Sequence, residues 1–214
     1  MNTIVTSQRA TAGGLSRARR LVFLLVAAAC TLVTQADAGA SAPGQGSTDV
    51  QVREDQGTYR VDARFVVAES PAVALAVLTD YEQIPRFMPD VRTSTVLERG
   101  NGRAVVEQEA IARVMMFSKR VHLVLEVQEQ ARAIRFRDRC GRSFTRYDGS
   151  WQITEEDGGA AIVYQLNAKP SFDVPQFLLR RLLKRDAGLM IERLQAEIDA
   201  RSRTGRKDTA RYGG

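Results

Sequence analysis

DVPQFLLRRLLKRDAGLMIERLQAEIDAR, residues 173–201, is the stretch that decides the fold. Leu179, Leu183, Ala187, Met190, Leu194 and Ile198 recur at intervals of three and four, which puts them on one stripe of an amphipathic helix. Asp173 with Gln176 has the spacing of a capping box, and Pro175 is tolerated in a first turn. Roughly 27 residues at 1.5 Å each make a rod of about 40 Å, long enough to cross a whole sheet.

The sheet is read upstream of that helix. Tyr59, Val61, Ala63, Phe65 and Val67 alternate with Arg60, Asp62 and Arg64, the pattern of a half-buried strand, and Val50 and Val52 with the turn Asp55-Gln56-Gly57 suggest a hairpin before it. Ser70-Pro71 then opens a short helix to about Thr79. The prolines of residues 80–89 (DYEQIPRFMP) leave room for only a turn or a single-turn helix. From Val91 to about Asn167 the segments are strands, and Val121, Leu123, Leu125 and Val127 alternate cleanly with His122 and Glu126. The fold expected is α+β: a curved antiparallel sheet of six to seven strands around the long C-terminal helix, with two short helices after the first strand.

The ends of the chain read differently. Arg17, Arg19 and Arg20 precede the 13-residue apolar run Leu21 to Val33, followed by Ala36-Asp37-Ala38 and Ala40-Ser41-Ala42. That order predicts a secretory signal over residues 1–38, with cleavage after 42 as the alternative, and the run is well short of the roughly 20 residues a spanning helix needs. An exported, periplasmic or secreted protein is therefore expected. Residues 39–49 read as a flexible lead-in, 50–202 as the folded domain and 203–214 as a flexible basic tail. The formal charge of +6 belongs to those ends: residues 1–38 carry +3, residues 201–214 carry +4, and the remainder −1. A nucleic-acid partner is not expected of such a domain.

Two cysteines and one histidine exclude a zinc ribbon or a multi-histidine metal centre. Neither metal nor cofactor is expected. Without Cys30, Cys140 is left alone between Arg139 and Arg142, an ordinary thiol or one favoured as thiolate. His122 lies on the strand face opposite Val121 and Leu123 and reads as solvated. Glu107 and Glu109 share one strand face, which is solvated unless it points inward, where the pair could act as acid and base. No catalytic residue is assigned.

Asp80-Tyr81-Glu82, Pro85, Phe87 and Pro89 after a short helix, then Gly141, Phe144, Gly149 and Trp151 before the last strand, resemble the START-like (SRPBCC) superfamily, specifically its polyketide cyclase/dehydrase and coenzyme Q-binding branch. The resemblance covers about Tyr59 to Ser202. It implies the helix-grip fold, whose sheet and terminal helix enclose an elongated apolar cavity for lipids, quinones or polyketides, and it implies that only some members are enzymes.

A long helix across a curved sheet leaves volume between them in any case, and an apolar guest can fill what side chains do not. Lining candidates are Tyr81, Phe87 and Met88 at the entrance, Met115 and Phe117 on the sheet, Phe136, Trp151 and Tyr164 on later strands, and Leu183 and Met190 on the helix. Each alone also reads as ordinary core. Arg180, Arg181, Lys184 and Arg185 form a basic helix cluster that is either a solvated face or a contact for anionic lipid headgroups. The function expected is binding or transfer of a hydrophobic small molecule, with a cyclase or dehydratase in the same cavity as the alternative.

Overall fold

The computed structural model describes residues 48–212 apart from Met115, Met116 and Val174, with side chains described except at 114–117, 174 and beyond 204. The predicted leader, and the lead-in up to residue 47, lie outside the described residues.

Two strands open the fold, β1 (Asp49–Asp55) and β2 (Thr58–Val67), paired from Asp49↔Arg64 to Asp55↔Thr58. Their two-residue turn holds Gln56 at φ 47° and Gly57 at φ 77°, the left-handed pair that matches the twist of a hairpin. Helix α1 (Pro71–Leu78) follows with proline in its first turn. The N–H groups of Val73 and Ala74 donate to the Ser70 carbonyl at 3.1 and 3.2 Å, while the Ser70 side chain makes no capping bond. A 3-10 turn (Tyr81–Gln83) and the single-turn helix α2 (Ile84–Phe87) occupy the proline-rich stretch.

A meander comes next: β3 (Val91–Gly100), β4 (Arg103–Val114), β5 (Phe117–Gln130), β6 (Ala133–Asp138), β7 (Phe144–Glu156) and β8 (Gly159–Pro170). All pairings are antiparallel, in the order β1-β2-β8-β7-β6-β5-β4-β3. The sheet thus has eight strands rather than six or seven, because the opening hairpin contributes two. For the same reason the short helices follow the second strand, not the first. Register shifts in β3 and at Phe144/Arg146 in β7 add local twist to the sheet.

Helix α3 (Gln176–Tyr212) runs past the expected end near Arg201 and through the stretch predicted as a tail. Leu178 and Leu179 donate to the Pro175 carbonyl at 3.0 and 3.1 Å, so the proline stands at the cap position, two residues beyond Asp173. The buried stripe is also rotated from the expected one. Leu179, Leu182, Ala187, Ile191, Leu194 and Ile198 are buried, whereas Leu183 and Met190 are half-buried on its flank.

The helix packs chiefly against β1, β2 and α1. Ile191 and Ile198 share one core with Val61, Phe65, Val77, Ile153 and Ile162, all at or below 1% exposure. Fully burying one such side chain contributes about 1.5–3 kcal/mol. Gln195 Nε2 donates to the Val66 carbonyl at 3.1 Å, and Arg201 bridges Asp80 and Glu197, both at 2.7 Å, tying α3 to the segment after α1. Across β4 to β7 the helix and sheet part company, and the space between them is the site.

Candidate functional site: an apolar cavity with a charged rim

The cavity measures about 640 Å³, within the range of small-molecule sites. Strand alternation supplies its walls. Val106, Gln108 and Ala110 face it from β4, and Val121, Leu123, Leu125 and Val127 from β5. Leu183, Met190 and Leu194 close it from α3.

One wall is aromatic. Trp151 and Tyr164 lie with ring centroids 4.2 Å apart, Phe136 stacks with Tyr164 at 6.5 Å, and Tyr147 touches both Phe136 (6.0 Å) and Phe144 (4.9 Å). Gly149 makes this wall possible, being the residue paired with Phe136 across β6 and β7. A Cβ there would sit 2.5 Å from Phe136 Cζ and 2.3 Å from the Gln165 carbonyl oxygen, so only hydrogen leaves room for the ring.

Polar groups in the deep walls are few and weakly acidic. Tyr147 and Tyr164 hydrogen-bond each other; burial pushes the Tyr147 hydroxyl up to about 12 and that of Tyr164 well above its ordinary value. Gln108 Nε2 donates to the buried Ser94 hydroxyl at 3.1 Å. Tyr81 donates to Glu129 Oε1 at 2.9 Å under the Arg99 guanidinium, 5.4 Å above its ring, and burial followed by that bond raises its pKa strongly. At neutral pH these phenols donate hydrogen bonds and do not act as bases.

Six lining residues are charged: Asp90, Arg113, Lys119, Arg185, Asp186 and Arg193. Five of them, all but Lys119, are linked to one another. Asp90 pairs with Arg113 and, at 3.6 Å, with Arg193; Arg185 pairs with Asp186 at 2.7 Å and donates to the Arg113 carbonyl at 3.3 Å. Lys119 Nζ lies 5.0 Å from the Phe172 ring centroid. Burial raises the Asp186 pKa, opposed by Arg185.

Among the expected lining residues, Tyr81, Phe87, Met88, Phe136, Trp151, Tyr164, Leu183 and Met190 all border this cavity. Met115 and the Phe117 side chain lie outside those described. Tyr81 is buried, and its Glu129 and Arg99 partners stand at the ends of β5 and β3 remote from the charged rim. The basic cluster divides. Arg185 belongs to the cavity rim, while Arg180, Arg181 and Lys184 are exposed beside Phe177, itself 78% exposed.

Sequence reasoning missed Tyr147 and the acidic and basic rim. The bulge between Phe144 and Arg146 breaks the two-residue alternation, bringing Phe144 and Tyr147 to the same wall although they are three apart. The Phe144-x-x-Tyr147 spacing carried no strand signal.

Other candidates fall outside the cavity. His122 faces away from it as read, yet its side chain is only 16% exposed, with Nε2 3.6 Å from Glu107 and the buried Nδ1 3.9 Å from Glu109, beyond hydrogen-bond distance. The 139–143 segment covers that strand: His122 N–H donates to Ser143 Oγ, and Cys140 Sγ lies 3.7 Å from the His122 carbonyl. Glu107 and Glu109 therefore share the outer face and do not reach the pocket.

Solved structures share this architecture. An aromatase/cyclase, Zhui, from a Streptomyces species superposes with a TM-score of 0.59 at 15% identity, over 68% of this chain and 96% of that one. A STAR-related lipid transfer protein from Xanthomonas axonopodis gives 0.57 at 17% identity over 74% and 97%, and a START superfamily protein from Mycobacterium smegmatis 0.57 at 17% over 66% and 97%. At these identities the likeness is one of fold. A search of the curated proteins finds no match. The family profile described as polyketide cyclase / dehydrase and lipid transport matches residues 58–199, two short of the residues where the charged helix pins Asp80 through Arg201, and with the helix-grip sheet, the cavity and that match in hand, the chain belongs to this family.

Proposed function

We propose that the protein is a carrier that binds, and moves between membranes or partners, a hydrophobic small molecule such as a lipid or isoprenoid quinone. The observation that carries this reading is the division of the cavity into an apolar, aromatic interior and a charged rim. A cyclase or dehydratase needs an acid or base positioned at the reacting carbon. The interior offers instead tyrosines whose raised pKa values keep them protonated, and Glu107 and Glu109 are on the other face of the sheet. Lipid transfer in the Xanthomonas relative supports the carrier, as aromatase/cyclase activity in the Streptomyces relative supports the alternative. Burying ligand surface supplies roughly 25 cal/mol per Å² before ordering costs.

The leader pattern of residues 1–38 supports a location outside the cytoplasm, in the periplasm or secreted. Phe177 with Arg180, Arg181 and Lys184 then forms the surface that meets an anionic bilayer, an aromatic ring inserting between basic side chains. Native mass spectrometry and organic extraction of protein purified from its exported compartment test the reading. A reproducible co-purifying lipid or quinone supports it, and protein that is empty and takes up no apolar probe overturns it.

A further inference from the structure

We infer that the ligand is an amphiphile with one anionic head, held at the rim by Lys119, Arg113, Arg185 and Arg193 while its tail fills the interior. This rests on the carrier reading and narrows it. Four cations share two carboxylates there, a net charge of +2 at a mouth whose inner walls are apolar. Asp90 is divided between Arg113 and Arg193, and Asp186 is engaged by Arg185. Lys119 has no carboxylate partner among the described residues; its ammonium lies over the Phe172 ring.

The cations come from separate elements that converge on the opening. Arg113 and Lys119 stand at the adjoining ends of β4 and β5, where Ala112 pairs with Lys119 and Arg113 with Ser118, and Arg185 reaches across from α3 to the Arg113 carbonyl. Bringing like charges together at the edge of an apolar volume is unfavourable unless an anion joins them. Leu182, Leu189 and Phe172 line the cavity beside these cations, so a carboxylate or phosphate seated there has its first methylenes against hydrocarbon. A neutral, wholly apolar guest satisfies only the interior.

The same cations have a second conceivable partner, the headgroups of a bilayer, and the experiment separates the two. Displacement of the neutral probe Nile red is measured in membrane-free buffer at pH 8 with dodecanoate, dodecanol and acetate. Dodecanoate is expected to displace it at about ten- to a hundredfold lower concentration than dodecanol, the range of one or two charge-assisted hydrogen bonds, and acetate not at all. Lys119→Met, and Lys119→Met with Arg185→Gln, are expected to erase that preference by weakening displacement by dodecanoate, while anionic-vesicle binding, assigned to Phe177, Arg180, Arg181 and Lys184, is unchanged. Equal affinity for acid and alcohol, or a preference that survives both variants, overturns the anionic-head assignment and leaves the carrier standing. Failure of both amphiphiles to displace bound probe, or of the probe to bind at all, overturns the assignment together with the carrier. Loss of vesicle binding alone in the variants, with the dodecanoate preference intact, assigns the cations to the bilayer and also overturns it.

Discussion

The two halves of the interface between α3 and the sheet are made of the same kinds of residue and end up with opposite properties. Against β1, β2 and α1 the helix is in contact, and Phe65, Ile191 and Ile198 are sealed at 1% exposure or less. Opposite β4 to β7 the inward residues are equally apolar, yet Phe136, Trp151, Leu183 and Met190 are only half-buried around a cavity of about 640 Å³. Composition does not distinguish core from container; separation of the layers does. Close-packed interiors tolerate no such void without a reason.

Truncation tests that contrast most strongly. Phe65→Ala should cost about 3–5 kcal/mol in a denaturant titration, as a large cavity opened in a filled core does. Phe136→Ala, at the margin of an existing space, should cost less than Phe65→Ala and act on ligand affinity instead. Equal losses at the two positions would mean that the hollow half is filled in solution.

Alkali probes chiefly the hollow half, where the larger tyrosine shifts lie. Tyr147 has its pKa raised from 10.0 to about 12, so its contribution to stability is fully present below pH 10 and disappears as pH rises toward 12. At about 1.4 kcal/mol per unit the loss is about 2–3 kcal/mol, and Tyr147→Phe should remove that part of the alkaline slope in thermal melts. Gly149→Val should destabilise by about 1–3 kcal/mol through overpacking against Phe136 and the Gln165 carbonyl, and shrink the pocket for probe binding at the same time. Leu183→Trp should change stability least, by less than about 1.5 kcal/mol, because the added ring enters empty space. Its Nile red binding should nevertheless drop more than about tenfold, and unchanged binding would place the ligand elsewhere.

Local periodicity made most of the fold legible. Alternation at Val121, Leu123, Leu125 and Val127 defined a wall that the structure keeps, and the proline spacing around Pro85 limited α2 to one turn. The helix was legible as an element but not in phase. Leu183 and Met190 fit the three-four spacing as well as Leu182 and Ile191 do, and only contact with β1 and β2 selects the latter pair for burial. The rim was not legible at all, since Asp90 and Arg113 meet across a strand pairing and Arg185 is one of four similar cations until the tertiary fold sorts them. The outer-face position of His122 followed from alternation, whereas its cover by the 139–143 segment did not.

The bulge at Phe144/Arg146 has a consequence for how much change in length the aromatic wall tolerates. Upstream of Tyr147 the phase of β7 depends on one supernumerary residue, while downstream of it Gly149, Trp151 and Ile153 keep ordinary alternation. Deleting that residue, Thr145, would restore regular alternation along the ladder with β8 and leave Phe144 two residues from Tyr147, on the same wall as before. The aromatic wall is thus indifferent to the length of this strand at one point: the extra residue can be lost without turning Phe144 away from Tyr147.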